Sequence, residues 1–525
     1  MITALDFSRL QTPPHHGDVL VEPAAAQLAE MLETNRRALA ALDVRLGGEP
    51  LSEIRRRLRA ALGFGEGPLV VTGHQPEFIH AGVWAKHVVA VRLAEAVGGS
   101  AVNLVVDHDA PRVFAFTVPR VEGSRVRGVA LRYADWPAGA ALEGLPATTP
   151  AAADGLRDAV AEALGALYPP SQFPAFWKAY RETPNPVDWV DQAVSGRRAV
   201  EQQLGVVIAD RRVSTSWSGP LLCTLLGDAC RFAAAYNAAL SDYRVAQGIA
   251  GTQRPMPDLD SAGPRCETAL WIYRLGAPRR RLFVENSQGR IRLYAGAERV
   301  AEWPERDTAT WAALAPRLAE LAGWVVRPRA LVLTLWARLA LGDLFIHGIG
   351  GAKYDRITDE LIRRYFGVEP PHMACVSATL RLPLPGARRR ADELKRAYRA
   401  AQHAARDMRF NPERHLPAEV VEADVQRKRA AVAEAQRLRR DEPANHLRRR
   451  EVFREIRALN AALTARFPEA VTAADDALRE QQRTLQAHAV ASSREYFFAM
   501  HRRADLALLL ENLPQVTQLR SATIV

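Results

Sequence analysis

The stretch from Pro68 to Pro111 constrains this chain more than any other. It opens with Leu69-Val70-Val71, a short β-branched apolar run that reads as a buried strand. Thr72-Gly73-His74-Gln75-Pro76 breaks the period. From Gly82 the apolar spacing turns helical, through Val83, Trp84, His87, Val88, Val91 and Ala94, and Gly98-Gly99 closes the helix. A second apolar run, Ala101 to Val106, ends in Asp107-His108-Asp109. A strand, loop, helix, strand unit predicts two adjacent parallel strands, because a helical crossover returns the chain in the same direction. Ligands of such sheets bind outside the carboxyl ends of the strands. The clusters Thr72–Gln75 and Asp107–Asp109 are therefore expected to face one crevice.

A chain of 525 residues exceeds one ordinary domain. The spacing of apolar runs and turn residues predicts an α/β fold: a parallel-sheet core with inserted segments and a long C-terminal helical arm. Residues 1–111 form the first half of the core, with amphipathic helices at 23–47 and 50–62, and 112–203 form an insertion. Core strand and helices follow at 204–264, beginning with a buried strand Leu204–Arg211. Alternating residues at 265–300 predict a small antiparallel insertion, and 301–385 complete the core. Long helical stretches with little Gly fill the arm, 386–490, where Val471, Leu478 and Leu485 have the heptad spacing of a coiled coil. Residues 491–525 return to the core.

Composition narrows the partners. No apolar run reaches the roughly 20 residues of a membrane span. The N-terminal segment lacks a basic start followed by an apolar stretch, so no signal peptide is expected. The four cysteines, Cys223, Cys230, Cys266 and Cys375, have no metal-ligand spacing. They read as reduced, buried thiols of a cytoplasmic protein. The net charge of +11 raises the question of nucleic acid, but it lies mostly between Arg388 and Asp505, where 26 basic residues are diluted by 18 acidic ones. A solvated, partly dimer-forming face is the expected reading there, not an RNA grip.

Three polar clusters carry the candidate chemistry. In the first, Thr72, Gly73, His74 and Gln75 lie in a loop between a strand and a helix, with His80 nearby; such loops cradle phosphate, and histidines act as acid and base near pH 7. His87 lies further along and is expected to pack. The second is Asp107, His108 and Asp109, suited to binding a hydroxyl or amine, to proton transfer, or to a divalent metal. The third is His347, Gly348, Gly350, Gly351 and Lys353: the glycines let a backbone approach a ligand closely, and the lysine neutralises phosphate. Its loop is expected to lead into a helix beginning near Ile357.

VVTGHQ, a helix and VVDHDA together resemble the bacillithiol-biosynthesis cysteine-adding enzymes, whose pattern is TGQQ, a helix and a strand ending in EDHD. LGVVIADRR, GIGG, CVSATL and the helical arm from about 386 agree with that family in order. The chain departs from it at His74, at Val106 and after Gly351. The resemblance implies a Rossmann-type core, a helical arm used in dimerisation, a nucleotide site, and addition of cysteine to a small amine.

The expected function is that of a ligase-like enzyme forming a carbon–nitrogen bond between an amino acid and a small amine substrate. His74, His108 and Asp109 are the candidate catalytic residues. Thr72, Gly73, Gln75, His80, Asp107, His347, Gly348, Gly350, Gly351 and Lys353 are the candidate binding residues. No metal is assigned; ATP or ADP is the candidate nucleotide, and a homodimer through the arm is the expected assembly. Two other readings remain: an RNA- or tRNA-binding or nucleotidyl-transferase-like protein using the basic arm, and a metal-dependent hydrolase with Asp107, His108, Asp109 and His74 as ligands.

Overall fold

A six-stranded sheet holds the centre of the fold. In chain order its strands are β1 (Val19–Glu22), β2 (Leu69–His74), β3 (Ser100–Val105), β4 (Ala209–Arg212), β5 (Leu344–His347) and β6 (Met373–Ala378). Across the sheet the order is β1-β6-β5-β2-β3-β4. Strand β1 is antiparallel to β6, and every other pair is parallel. The chain adds β3 and β4 on one side of β2, then crosses back to place β5 and β6 on the other, so the order reverses between β2 and β5. This computed structural model describes residues 5–123, 125–217, 219–261, 263–387, 389–415 and 418–515, the side chains of 418–421 excepted.

The unit expected at Pro68–Pro111 is present, with β2 and β3 in parallel register from Leu69↔Ser100 to His74↔Val105. Leu69, Val70 and Val71 are buried, as a central parallel strand requires. The helices that matter below are α1 (Ala25–Ala40), α2 (Leu51–Ala61), α3 (Ala81–Ala96), α4 (Trp189–Gln203), α5 (Ala229–Ala246) and α6 (Ile349–Phe366). Every residue of α3 from Ala81 to Val91 is buried, so it is a core helix and not an amphipathic surface one.

The expected antiparallel insertion is larger than its sequence pattern. Glu298–Pro304, Arg290–Ala295, Arg280–Ser287, Cys266–Arg274 and Trp324–Pro328 form a five-stranded sheet in that order. Its inner residues Leu270, Ile272 and Leu293 join Val71, Val102 and Leu104 of the first sheet in one apolar cluster.

Two element boundaries differ from expectation. Strand β4 starts only at Ala209, because Leu204 caps α4 and Val207 is 71% exposed. Helix α6 begins at Ile349, not near Ile357. Glycine is a poor helix former, at about 1 kcal/mol per residue, which makes Gly350-Gly351 look like a loop. Burial of Ala352, Ile357 and Leu361 outweighs that cost.

The cysteine expectation is corrected as well. Cys230, at the start of α5, is disulfide-bonded to Cys266, at the start of a strand of the second sheet, with a Cα–Cα distance of 5.4 Å. Their 36-residue separation gives no hint of that proximity, which tertiary packing creates. Cys223 and Cys375 are free and buried.

The chain divides into two compact units: 1–118, 129–382 and 494–525 make one, and 119–128 with 383–493 make the other. Four helices fill the second: Ala391–Phe410, Ala418–Asp441, His446–Arg466 and Pro468–Ala491. The first and last run antiparallel, since His488 bonds Gly386 at one end and Arg409 pairs with Asp475 at the other. Val471 packs on the Met408–Val425–Leu463 cluster, and Leu478 and Leu485 are half-buried. Many of the unit's arginines are already paired, as in Arg448–Glu434, Arg466–Asp424 and Arg437–Glu442. Arg388 lies outside the described residues. Among the described residues no helix is long and apolar enough to cross a membrane.

The disulfide yields a stability prediction. Closing a loop of 36 residues restricts the unfolded chain by about 4 kcal/mol in the chain-entropy treatment. A thiol reductant is expected to lower the Tm of the wild type and to leave that of Cys230→Ser unchanged. Equal response of both proteins would contradict the pairing.

Candidate functional site

The reversal of strand order puts the carboxyl ends of β2 and β5 side by side. Thr72 Oγ1 donates to the Ile346 carbonyl at 2.9 Å and ties the two strands together. Thr72 is fully buried, so it builds the crevice instead of lining it. Gly73 follows; a Cβ there would lie 3.0 Å from the Leu104 carbonyl oxygen, so β3 comes too close for a larger residue. The Gly73 carbonyl accepts from Lys86 Nζ at 2.7 Å. Burial pulls the Lys86 ammonium down to about 8, with only weak help from Cys375 in the other direction.

His74 ends β2. Its Nδ1 lies 3.1 Å from the Gln75 carbonyl oxygen. Burial, reinforced by Lys86, lowers its pKa to about 3, so the imidazole is neutral at physiological pH. His80 caps α3, its Nδ1 accepting from Gly82 N at 3.0 Å. That bond leaves the ring proton on Nε2, 3.3 Å from Glu495 Oε2. Burial lowers the His80 pKa despite Glu495. Gly82 itself has no room for a side chain: a Cβ would stand 2.7 Å from the Ala378 carbonyl oxygen at the end of β6. His87 packs, bonded to Glu201 of α4 at 2.6 Å in a buried pair.

The first two clusters do meet, through Gln75 and Asp109. Gln75 Nε2 donates to Asp109 Oδ2 at 2.7 Å, and Asp109 Oδ1 accepts from Arg279 at 2.7 Å and from Ala110 N at 2.9 Å. Burial would raise the Asp109 pKa, but Arg279 and Gln75 hold it below the ordinary carboxylate value. His108, expected beside His74 in an open pocket, is instead only 3% exposed. Its Nδ1 is buried without a hydrogen-bond partner among the described residues. Burial pushes its pKa down to about 4 against the pull of Asp107 and Asp109. Asp107 is fully buried and committed: Oδ2 takes Arg212 Nε at 2.8 Å and the Ser214 hydroxyl, and Oδ1 takes Ser214 N at 2.9 Å. Both of its oxygens are hydrogen-bonded within the fold. Among the described residues no group of three or more His, Cys, Asp or Glu is arranged to hold a metal ion.

The third cluster sits across the crevice. His347 ends β5, and its Nε2 lies 2.9 Å from Asp355 Oδ2 in α6. Asp355 also accepts from Arg338 at 2.7 Å and from Thr334 at 2.6 Å, which holds it well below the ordinary carboxylate range although burial opposes this. His347 is thus a clamp between strand and helix. Gly351 makes room for it, since a Cβ would be 2.9 Å from His347 Nδ1. Gly348 and Gly350 face open space. Gly348 N-caps α6 without a side-chain cap, and the first helical bond runs from Ala352 N to the Gly348 carbonyl. The N–H groups of the first turn, Ile349 to Gly351, therefore lack helical partners. Lys353 is exposed one turn further on.

The sequence reading missed Lys86 and Arg279. A lysine inside the apolar run Val83 to Val91 was a signal, because a charged residue on a helix buried all round needs a reason. Arg279 had none, since it reaches Asp109 from a distant strand region. No protein-family model matches the chain, and no curated protein matches it.

His108 supplies a pH prediction. Its pKa is about 4 in the fold against 6.5 when unfolded, so the unfolded chain binds the extra proton. Its stabilising share is present above pH 6.5 and is lost as the pH falls towards 4, at about 1.4 kcal/mol per pH unit. Denaturant unfolding of His108→Asn between pH 6 and 5 is expected to show a slope smaller than the wild type by about that amount. An unchanged slope would show that His108 is not buried neutral.

Proposed function

We propose that this chain is an enzyme with a Rossmann-type core that binds a nucleotide phosphate or substrate carboxylate where its strand order reverses. As in the family it resembles, it would join an amino acid to a small amine: the amine would attack the amino acid's carboxyl carbon after ATP has activated it, and the activated carboxyl oxygen would leave with the phosphoryl or nucleotidyl group. The observation that carries the anion site is the uncapped start of α6, with open space over Gly348 and Gly350 directly at the end of β5. Free N–H groups and the positive end of an 18-residue helix suit an anion there. Lys353, exposed on the next turn, adds a mobile charge.

The protonation states fit the same reading. His74, His80 and Lys86 all have pKa values lowered by burial. An arriving anion favours their charged forms, so binding would draw a proton to His80 and make the still neutral His74 a stronger base. In the reaction an attacking ammonium must first lose a proton. His74 is the group proposed to take it once the anion has raised its pKa, with the Gln75–Asp109 pair orienting the amine. Asp109, held below its ordinary pKa by Arg279, would serve as a fixed charge and not as the base. The arm is proposed as a coiled coil through which two copies pair, supported by the exposed apolar side chains Phe410, Leu447 and Phe453. Action in the cytoplasm belongs to the same proposal.

The test is Gly350→Glu. A carboxylate in the first turn suits the helix dipole and has open space, so the fold is expected to hold or gain stability. The same carboxylate competes for the anion site. Calorimetry with ATP, ADP and malate is expected to find a ligand that binds the wild type with proton uptake and binds Gly350→Glu at least about tenfold more weakly, a loss of about 1.4 kcal/mol. A result in which none of the three binds Gly350→Glu more weakly than the wild type would overturn the reading.

A further inference from the structure

At the opposite end of the central sheet, where its strands begin, a cleft of about 610 Å³ opens between α1 and α2. Arg36 and Arg37 of α1 and Arg55, Arg56 and Arg59 of α2 line it, together with Asp343, the residue before β5. Asp343 is only 3% exposed. Its Oδ1 accepts from Arg55 and from Arg59, each at 2.7 Å, and its Oδ2 accepts from Leu69 N at 2.8 Å. Arg36 Nε stands 3.8 Å from the same Oδ2. Three guanidinium groups thus share one carboxylate. Arg36 also pairs with Glu33 and Arg56 with Glu53, while the Arg37 side chain has no partner among the described residues.

The two buried arginines are held before any ligand arrives. Arg55 donates to the Leu339 and Gly342 carbonyls and Arg59 to the Leu341 carbonyl. These oxygens lie at the end of the π-helical turn Ala337–Leu341, where a helix leaves its carbonyls unpaired. The turn therefore fixes the guanidinium groups, and their rotamer entropy is lost on folding and not on binding. Crowding shows in Arg55, whose pKa falls to about 10 through burial and then through Arg59.

We propose that this cleft binds a compact polyanion of the diphosphate class, free or carried on a nucleoside. The N–H groups that Arg55 and Arg59 have left over, together with the unpartnered Arg37, suit phosphate oxygens and outnumber Glu33 and Glu66 on the same lining, and the volume lies in the range of small-molecule sites. Leu39 and Phe64 supply an apolar wall for a carried group. The site goes beyond the reading of the switch-point crevice and stands or falls separately.

The experiment is calorimetry with pyrophosphate, ADP and adenosine on wild type, on Gly350→Glu, on Arg37→Glu and on Arg36→Ala/Arg37→Ala. Arg37 has no side-chain partner among the described residues; because a carboxylate in the last turn of α1 opposes the helix dipole, Tm checks both arginine variants. Pyrophosphate is expected to bind wild type and Gly350→Glu alike, and at least about tenfold more weakly to each arginine variant. Tighter binding of ADP than of pyrophosphate, with no binding of adenosine, identifies the nucleoside-carried form, and the reverse order identifies the free one. Absence of saturable pyrophosphate binding, or equal affinity in the arginine variants, overturns the proposal and leaves the arginines as struts of the π-helical turn. Loss of pyrophosphate binding in Gly350→Glu alone would likewise overturn it, while supporting the other crevice.

Discussion

The hydrogen bond from Thr72 to the Ile346 carbonyl stands where the rest of the site begins. It joins β2 to β5 through residues 274 apart in the chain, at the point where the sheet stops growing in one direction and starts in the other. A single such bond is worth only about 1 kcal/mol net. Its geometric consequence is larger. With β2 and β5 in register, the chain must leave both strands at the same edge, and each exit opens a helix, α3 behind His80 and α6 behind Gly348. Two helix starts and two strand ends then lie at one edge of the sheet. Gly73 and Gly82 are part of the same constraint, because the end of β6 leaves Gly82 no room for a side chain and β3 lies only 3.0 Å from where a Cβ of residue 73 would stand.

Burial gives the crevice at that edge its electrostatic character. His74 is neutral and His80 is disfavoured as a cation, because desolvation penalises their charged forms, while Lys86, lowered only to about 8, keeps its ammonium. The arginines around it are mostly spent on partners: Arg279 on Asp109, Arg338 on Asp355, Arg212 on Asp107 and Asp188. A site of this kind couples anion binding to proton uptake. The Arg cleft under α1 and α2 has the opposite character, with its charges fixed and crowded beforehand.

Much of the central unit was legible in the sequence because its signals are local. Leu69–Val71, the turn at Thr72–Gln75, the helical spacing from Gly82 and the second strand each announce themselves within ten residues, and β2–α3–β3 follows. The proximity of the first two clusters was legible too, though Gln75 and Asp109 make the contact and not His74 and His108. What escaped depends on distance in the chain. The reversal of strand order, the Cys230–Cys266 disulfide and the Arg279–Asp109 pair are set by tertiary packing alone. The start of α6 escaped for a different reason. Glycine's weak helix propensity argued for a loop at Gly350-Gly351, and the packing of Ala352 together with the His347–Asp355 clamp overrode it.

Amide hydrogen exchange on the intact protein, with and without saturating malate, tests the central claim most directly. If the crevice at the ends of β2 and β5 is the binding site, the backbone amides of Ile349 to Gly351 slow together with those of His74 to Gly82, although the segments are far apart in sequence. Binding without protection of either segment, or protection of one alone, would contradict a site built on the reversal between β2 and β5.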